Sequence, residues 1–148
     1  MVENHWTQDQ GDAALRDESR PAIPDPGLLP DELFRVVGFA SEVMDHCLAT
    51  APYPNVVMAF AGALALQATL AGRKARDPDD NRTNLCLPGL AHFLAGKDRP
   101  RKLNAEILHA VGLSSQVGGR FASGEGVQDA LFVEPCMLFQ TDEIDGML

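Results

Sequence analysis

The chain has 148 residues, of which 45% are hydrophobic, so it is long enough to bury the core of one domain. Its formal net charge of −9 argues against a generic binder of nucleic acid or of acidic membranes, because such proteins usually carry a basic excess. The three cysteines are far apart and form no C-x-x-C pair, so neither a disulfide framework nor a zinc site is predicted.

Residues 1–30 combine four prolines with acids and glutamines and offer little apolar surface. Such a composition cannot offset the entropy lost on ordering, so we predict a disordered or loosely packed leader. The leader lacks the apolar stretch of a signal peptide, and the isolated cysteines fit a reducing compartment. We therefore expect a cytoplasmic protein.

Residues 31–76 predict a helical segment with two helices. Over 31–50, apolar residues recur at three- and four-residue steps and share one helical face, which is typical of an amphipathic packing helix. Residues 56–71 are apolar on nearly every side, and we predict a buried core helix there. The alternative for 55–72 is a membrane anchor with a basic flank that begins at Arg73.

Most of the twelve basic residues lie between Arg73 and Lys102. This basic zone suits a nucleotide or a DNA backbone, and the alternative is a solvated surface at a helix end. Within it, residues 77–82 open like a calcium loop, but Arg82 stands where that loop requires glycine and Pro88 where it requires glutamate. We therefore predict a plain turn.

The next stretch predicts a strand over 85–90, a turn, and then Gly96-Lys97 at the start of a helix that runs to Val111. That order is the layout of a phosphate-binding loop, in which backbone N–H groups and the positive end of the helix dipole converge on an anion. The alternative is ordinary helix-start chemistry without a ligand.

The loop departs from the usual pattern of Gly, four residues, Gly-Lys and Ser or Thr. Phe93 and Leu94 bring Cβ atoms into the space where the backbone would approach a phosphate, and Asp98 replaces the hydroxyl that ligates magnesium. The positions of the pattern are occupied by Ala91, His92, Phe93, Leu94, Ala95, Gly96, Lys97 and Asp98.

Further along the chain, strands and helices alternate. Gly112 is predicted to end the helix that follows Gly96-Lys97, residues 118–119 to form a turn and 120–123 a short strand. Ser123 is predicted to cap a short helix that ends before Pro135. The alternation favours an α/β fold with a parallel sheet.

The last thirteen residues carry an apolar run that ends in Asp142-Glu143. A strand that emerges into two acids places them at the carboxyl edge of a parallel sheet, on the side where the phosphate loop also opens. Gln140 and Thr141 are more polar than such a strand usually is. The alternative is a surface strand that ends in an acidic turn.

Residues 55–148 resemble a family of phage- and prophage-borne P-loop ATPases that lie beside primase and helicase domains in mobile-element replication proteins. The strongest likeness is in R-F-A-S-G-E-G-V-Q-D-A-L-F and C-M-L-F-Q-T-D-E-I-D-G-M-L. The resemblance implies an α/β fold in which a helical N-terminal part precedes an incomplete P-loop NTPase (RecA-like) parallel sheet over 83–148.

The same resemblance implies ATP and Mg²⁺ as cofactors. It assigns nucleotide binding to Gly96, Lys97 and Asp98, and it places Lys97 at the β- and γ-phosphates. Asp142 holds Mg²⁺ through water, and Glu143 is the catalytic base. The loop of relatives reads A-P-S-G-S-G-K-D. Ala91, Gly96, Lys97 and Asp98 agree with it, and among the other four positions His92, Phe93 and Leu94 differ where the loop shapes the phosphate cradle.

Relatives of this type continue beyond the Asp-Glu strand with further core strands, a sensor residue and an arginine finger. We therefore expect a truncated ATP-binding module that is weak or inactive alone. Its expected partners are a nucleotide, DNA in the full-length setting, and a second copy through the incomplete sheet, with no membrane contact. The alternatives are a non-catalytic nucleotide-binding or protein-interaction remnant, and a small membrane-anchored protein through 55–72.

Overall fold

A computed structural model of the chain describes Pro24, Gly27 and residues 29–92, 95–119 and 123–141. This part of the chain is mixed α/β, with four α-helices, two short 3-10 helices and a two-stranded parallel sheet. The α-helices are α1 (Phe39–Thr50), α2 (Val56–Ala71), α3 (Asp98–Ala110) and α4 (Gly124–Val133). The strands are β1 (Val117–Gly118) and β2 (Leu138–Phe139), and the 3-10 helices are Asp31–Phe34 and Ser114–Gln116.

The helix predicted over 31–50 is divided into two parts. A single 3-10 turn covers Asp31–Phe34, and α1 begins only at Phe39. Gly38 separates the two with a φ of 101°, a backbone conformation that glycine adopts readily and other residues rarely. From there the predicted apolar face is present, and it buries Ala40, Val43, Met44 and Cys47.

The predicted core helix over 56–71 is confirmed as α2. Asn55 caps it, because its side-chain oxygen accepts a hydrogen bond from the N–H of Met58 at 3.0 Å. Its buried residues Ala59, Ala63 and Leu66 face the common core of the described helices. Among the helices of the described residues, none is long and apolar enough to cross a membrane.

The packing of α3 on α2 depends on a residue without a side chain. A Cβ atom at Gly62 would lie 2.6 Å from Cβ of Pro100, so the first turn of α3 approaches the α2 backbone as closely as a glycine allows. Asn104, one turn further along α3, donates a hydrogen bond from its amide to the Gly62 carbonyl at 3.0 Å. Leu103 and Leu108 of α3 complete the contact with the core.

Gly112 ends α3, as the sequence predicts. Its N–H bonds to the carbonyl of His109 at 3.1 Å, and the N–H of Leu113 bonds to the carbonyl of Leu108 at 2.7 Å. With a φ of 76° at Gly112, this pair of bonds is a Schellman motif, which satisfies carbonyls that a helix end would leave free. The motif also returns Leu113 to the core.

The carboxyl-terminal part of the described chain is a β1–α4–β2 unit. Val117 pairs with Leu138 and Gly118 with Phe139 in parallel, and α4 makes the crossover that parallel strands require. The cap prediction for α4 is confirmed, since the Ser123 hydroxyl accepts a bond from the N–H of Gly126 at 3.2 Å.

Two predictions about this unit need correction. Gly118 lies in β1 rather than in a turn, and Ser123 caps α4 rather than ending a strand. Residues 120–122 lie outside the described part of the chain. A strand is present at β1, where Val117 packs against the hydrophobic core and Gly118 pairs with Phe139.

The prediction of a strand over 85–90 is wrong. Within the described chain these residues form no helix or strand and make no backbone hydrogen bond to another segment. A strand exists only when a neighbouring strand accepts its ladder bonds, and Pro88 lacks an N–H to donate. The strand–loop–helix layout is therefore present only in its second half.

The turn predicted over 77–82 is confirmed and explains the acids there. The Asp77 carboxylate accepts bonds from the side chain and backbone N–H of Asn81, both at 2.8 Å, and from the N–H of Asp79 at 2.9 Å. The Asn81 side-chain bond is the main reason that the pKa of Asp77 lies below its usual value. The carboxylate stabilises its own turn, as is typical of aspartate.

The contact between Gly62 and Pro100 gives a stability prediction. Gly62→Ala is expected to lower the free energy of unfolding by about 1–3 kcal/mol, the usual cost of an extra methyl in a packed contact. This loss should appear in urea denaturation although alanine by itself favours a helix over glycine by about 1 kcal/mol.

Gly124→Ala is the matched control, because Gly124 is also helical and has nothing within 4 Å of an added Cβ. It should leave stability unchanged or raise it slightly. If the two variants were equally stable, the close packing of α3 on α2 would be refuted.

Candidate nucleotide site

Gly96 and Lys97 stand at the start of α3, where the sequence places them. Lys97 is the N-cap residue, its side chain is exposed, and Asp98 is the first residue of the helix. The first N–H groups of a helix have no partner within it, and together with the dipole they favour negative charge nearby. The predicted helix start at Gly96-Lys97 is therefore confirmed.

The packing of Gly96 has a cause that the sequence does not reveal. Its φ is 76°, and a Cβ atom there would lie 1.9 Å from the carbonyl oxygen of Tyr53. Asn55 holds the same loop, because its Nδ2 donates to the carbonyl of Ala95 at 3.2 Å. A glycine is required at this position by the turn before α2, whether or not an anion binds.

Asp98 contributes an oxygen atom without a partner. Its Oδ1 is buried and accepts no hydrogen bond within the described chain. Leaving a buried acceptor unpaired costs about 1–3 kcal/mol, so a donor or a cation at this atom would be stabilising. The carboxylate also lies at the positive end of the α3 dipole, where negative charge is favoured.

The end of β2 lies against the beginning of α3. The Gln140 side chain donates from Nε2 to the carbonyl of Arg101 at 3.2 Å, and the Gln140 backbone N–H donates to the carbonyl of Gly118 at 3.1 Å. Asn104 adds a longer bond from Nδ2 to Gln140 Oε1 at 3.4 Å. The first turns of α3 and the carboxyl end of the sheet are thus in direct contact.

Four residues of the predicted site cannot be placed. Asp142 and Glu143, predicted for Mg²⁺ and for catalysis, lie outside the described residues, as do Phe93 and Leu94 of the loop. Gly96, Lys97 and Asp98 are described and adjacent to one another. The structure therefore brings together the start of α3 and the end of the strand that precedes the two acids.

Asn104 is a site-forming residue that the sequence interpretation missed. It is 1% exposed, and its Oδ1 has no hydrogen-bond partner in the described chain. The sequence did contain an indication of this role, because an asparagine next to Leu103 lies on the apolar face of an amphipathic helix. Gln140 carried a similar signal, as a polar residue at the end of an apolar strand.

Several side chains of the basic zone are occupied by partners within the chain. Arg99 donates to the Thr50 hydroxyl and to Glu106, each at 2.9 Å, and its side chain is only 18% exposed. Arg76 and Arg82 both contact Asp80, at 3.0 and 3.4 Å. Because these three arginines have partners within the chain, the basic count overstates the charge that a nucleotide or DNA would meet.

Neither the Cys47 thiol nor a cluster of metal-binding side chains offers an alternative reactive centre in the described part of the chain. Burial raises the pKa of Cys47, and the nearby Arg99 opposes this only in part, so the thiol is expected to be unreactive. Among residues 29–92, 95–119 and 123–141, no group of three or more His, Cys, Asp or Glu side chains could hold a metal ion.

Comparisons with protein-family models, with curated proteins and with solved structures found no match for this chain. Its function is therefore argued from its residues and their geometry.

The Gly96 contact gives a prediction that separates packing from ligand binding. Gly96→Ala and Gly112→Ala both place alanine at a φ of 76°, which costs about 1–2 kcal/mol in either case. Only Gly96→Ala also collides with the Tyr53 carbonyl, so we expect it to lose a further 1–3 kcal/mol or so of unfolding free energy. Both are measured by urea denaturation without nucleotide. Equal losses in the two variants would contradict the packing role.

Proposed function

We propose that this chain is the ATP-binding module of a P-loop ATPase of the kind associated with primases and helicases in mobile-element DNA replication. The observation that carries the proposal is the bond from Gln140 Nε2 to the carbonyl of Arg101 at 3.2 Å. It joins the end of the strand that precedes Asp142-Glu143 to the first turns of the helix that follows Gly96-Lys97.

The geometry around this bond suits a nucleotide with its metal. In parallel sheets, ligands bind beyond the carboxyl ends of the strands, and β1 and β2 are parallel. A helix that begins beside this edge supplies free N–H groups and a positive dipole for phosphates. Asp142 and Glu143 follow β2 after two further residues, and acids beyond the end of such a strand can hold Mg²⁺ and orient water.

The proposed roles follow the chemistry of each side chain. Lys97 binds the β- and γ-phosphates, and Asp142 holds Mg²⁺ through its water ligands, with Glu143 as the catalytic base. The unpartnered Asp98 Oδ1 supports a cation in this position, since Mg²⁺ prefers oxygen ligands and keeps several waters. Without a cation, the same carboxylate would repel phosphate.

Two observations favour weak or absent hydrolysis by this chain alone. Gly96 is committed to its contact with Tyr53, and residues 85–90 form no strand to support the loop. Catalysis of phosphoryl transfer depends on accurate positioning, so a poorly supported loop lowers the rate more than the affinity. A non-catalytic nucleotide-binding module is therefore the second candidate. DNA as a partner is proposed on the family resemblance, and a cytoplasmic location on the isolated cysteines, which fit a reducing compartment.

Calorimetric titration of Mg-ATP tests the proposal. We expect a micromolar dissociation constant for the wild-type chain and at least a roughly tenfold loss in Lys97→Ala, because a hydrogen bond to a charged phosphate is removed. Lys102→Ala is the control, since Lys102 is also exposed and lies on the same helix. Equal affinity in the wild type and Lys97→Ala would refute the nucleotide site.

Hydrolysis measurements distinguish the two candidates. An active module should release phosphate, and Glu143→Gln should stop this release while nucleotide still binds. Binding by the wild type without any phosphate release would instead support the non-catalytic module.

The contact between Gln140 and α3 predicts a specific effect on magnesium. Gln140→Leu is expected to reduce the Mg²⁺-dependent gain in ATP affinity by about tenfold, as is typical when a residue that positions a metal ligand is lost. ATP affinity without Mg²⁺ should change little. Gln67→Leu, on an exposed position of α2, is the matched control and should behave like the wild type. An unchanged Mg²⁺ dependence in Gln140→Leu would contradict the proposed arrangement.

A further inference from the structure

A second feature of the molecule, a cleft of about 680 Å³, lies apart from the proposed nucleotide site. The carboxyl-terminal half of α2, residues 82–86 and residues 135–139 line it, whereas Gly96, Lys97 and Asp98 do not. Clefts of this volume hold small ligands or short peptide segments. Its occupant can be inferred from the backbone and the charges that line it.

One side of the cleft offers backbone groups that no other segment uses. Residues 81–92 run without helix, turn or bend, and residues 84–90 make no backbone hydrogen bond within the described chain. The Thr83 hydroxyl fixes the beginning of this segment to α2 by a bond to the Ala68 carbonyl at 2.9 Å. A fixed, extended run of unpaired N–H and C=O groups is a template to which another strand can add.

The side chains of this segment are also unprotected. Leu85 is 55% exposed and Leu87 is 44% exposed, although leucine in a folded protein is usually buried. Ala65, Ala68 and Leu138 give the cleft further apolar lining. An occupant that buries these groups must therefore be apolar along part of its length.

The charges in the cleft are of one sign. Arg73 and Arg82 line it, and no acidic residue does so among the described residues. Arg73 forms no hydrogen bond or ion pair with any described residue, and Arg82 shares Asp80 with Arg76 at the longer distance of 3.4 Å. In a chain with a net charge of −9, this is a local site for a carboxylate.

The geometry points to strand addition: the cleft binds a short extended segment of a partner protein. The segment pairs its backbone with residues 84–87, packs apolar side chains against Ala68 and its neighbours, and directs an acidic side chain to Arg73 and Arg82. A polyanion would leave the apolar lining uncovered, and a second copy of a chain with a charge of −9 would be repelled at long range. This surface is independent of the nucleotide proposal.

Fluorescence anisotropy with the full 148-residue chain tests the inference. The probe is a fluorescein-labelled octapeptide, Thr-Val-Thr-Val-Thr-Val-Asp-Asp, which is extended by composition and acidic at one end. Two control peptides replace the aspartates by lysines or two threonines by prolines, which removes the carboxylates or two backbone donors. We expect each control to bind at least about tenfold more weakly than the probe.

Variants of the protein locate the binding. Arg73→Ala and Arg82→Ala should each weaken probe binding by about tenfold, the loss expected for one hydrogen bond to a charged group. Arg35→Ala is the control, because Arg35 is exposed and pairs with Asp45 away from the cleft. Ala68→Trp fills the cleft and should abolish binding, with circular dichroism used to verify that the helices remain.

Several results would overturn the inference. The inference is wrong if the acidic probe does not bind, or if the lysine or proline peptide binds as tightly as the probe. It is also wrong if Arg73→Ala and Arg82→Ala both bind the probe as tightly as the wild type. Analytical ultracentrifugation of the protein without peptide measures its oligomeric state. A dimer that Ala68→Trp dissociates would mean that a second copy fills the cleft, and the partner-segment inference would then be wrong.

Discussion

The close approach of α3 to α2 positions most of what surrounds it. Because Gly62 has no side chain, Pro100 reaches the α2 backbone, and the Asn104 amide reaches the Gly62 carbonyl at 3.0 Å. Asn104 also contacts Gln140, and Gln140 in turn bonds to Arg101 and to β1. The sheet is therefore attached to the helical part through α3, and two strands of two residues each could not hold that position alone.

A second set of contacts fixes the start of α3. Asn55 caps α2 and at the same time holds the Ala95 carbonyl, while Arg99 bonds to Thr50 at the end of α1. The N-terminus of α3 is thus held by hydrogen bonds from the helices around it, and such support is what a preorganised binding site needs. The same packing brings the Tyr53 carbonyl against Gly96, so the space beside this glycine is occupied by protein. The proposed site therefore combines a helix start that is held by its neighbours with a glycine whose side-chain space is already filled.

The nucleotide proposal and the cleft both involve β2 but otherwise draw on different parts of the chain. The first depends on the edge where α3 begins and β2 ends, and the second on the unpaired segment between α2 and α3. The basic zone contributes unequally to the two regions, because Arg99 and Arg76 are paired within the chain whereas Arg73 has no partner among the described residues. A count of basic residues could not distinguish these cases, since only the folded chain shows which guanidinium groups are paired.

Features that depend on neighbours within a few residues could be predicted from the sequence. The extent of α2, the Ser123 cap of α4, the Gly112 end of α3 and the place of Gly96-Lys97 at a helix start all follow from local hydrogen bonds and apolar spacing.

Strand pairing and contacts between distant residues could not be predicted in this way, because they form only when the chain folds. The segment 85–90 has the composition of a strand and forms none, because no described strand pairs with it, and β1 forms instead at Val117–Gly118, where Leu138 and Phe139 supply the ladder. Local sequence patterns likewise do not predict the hydrogen bonds of Asn104 and Gln140 or the contact between Gly96 and Tyr53. These contacts join residues that are 36 to 43 positions apart in the sequence. They exist only once the helices have packed.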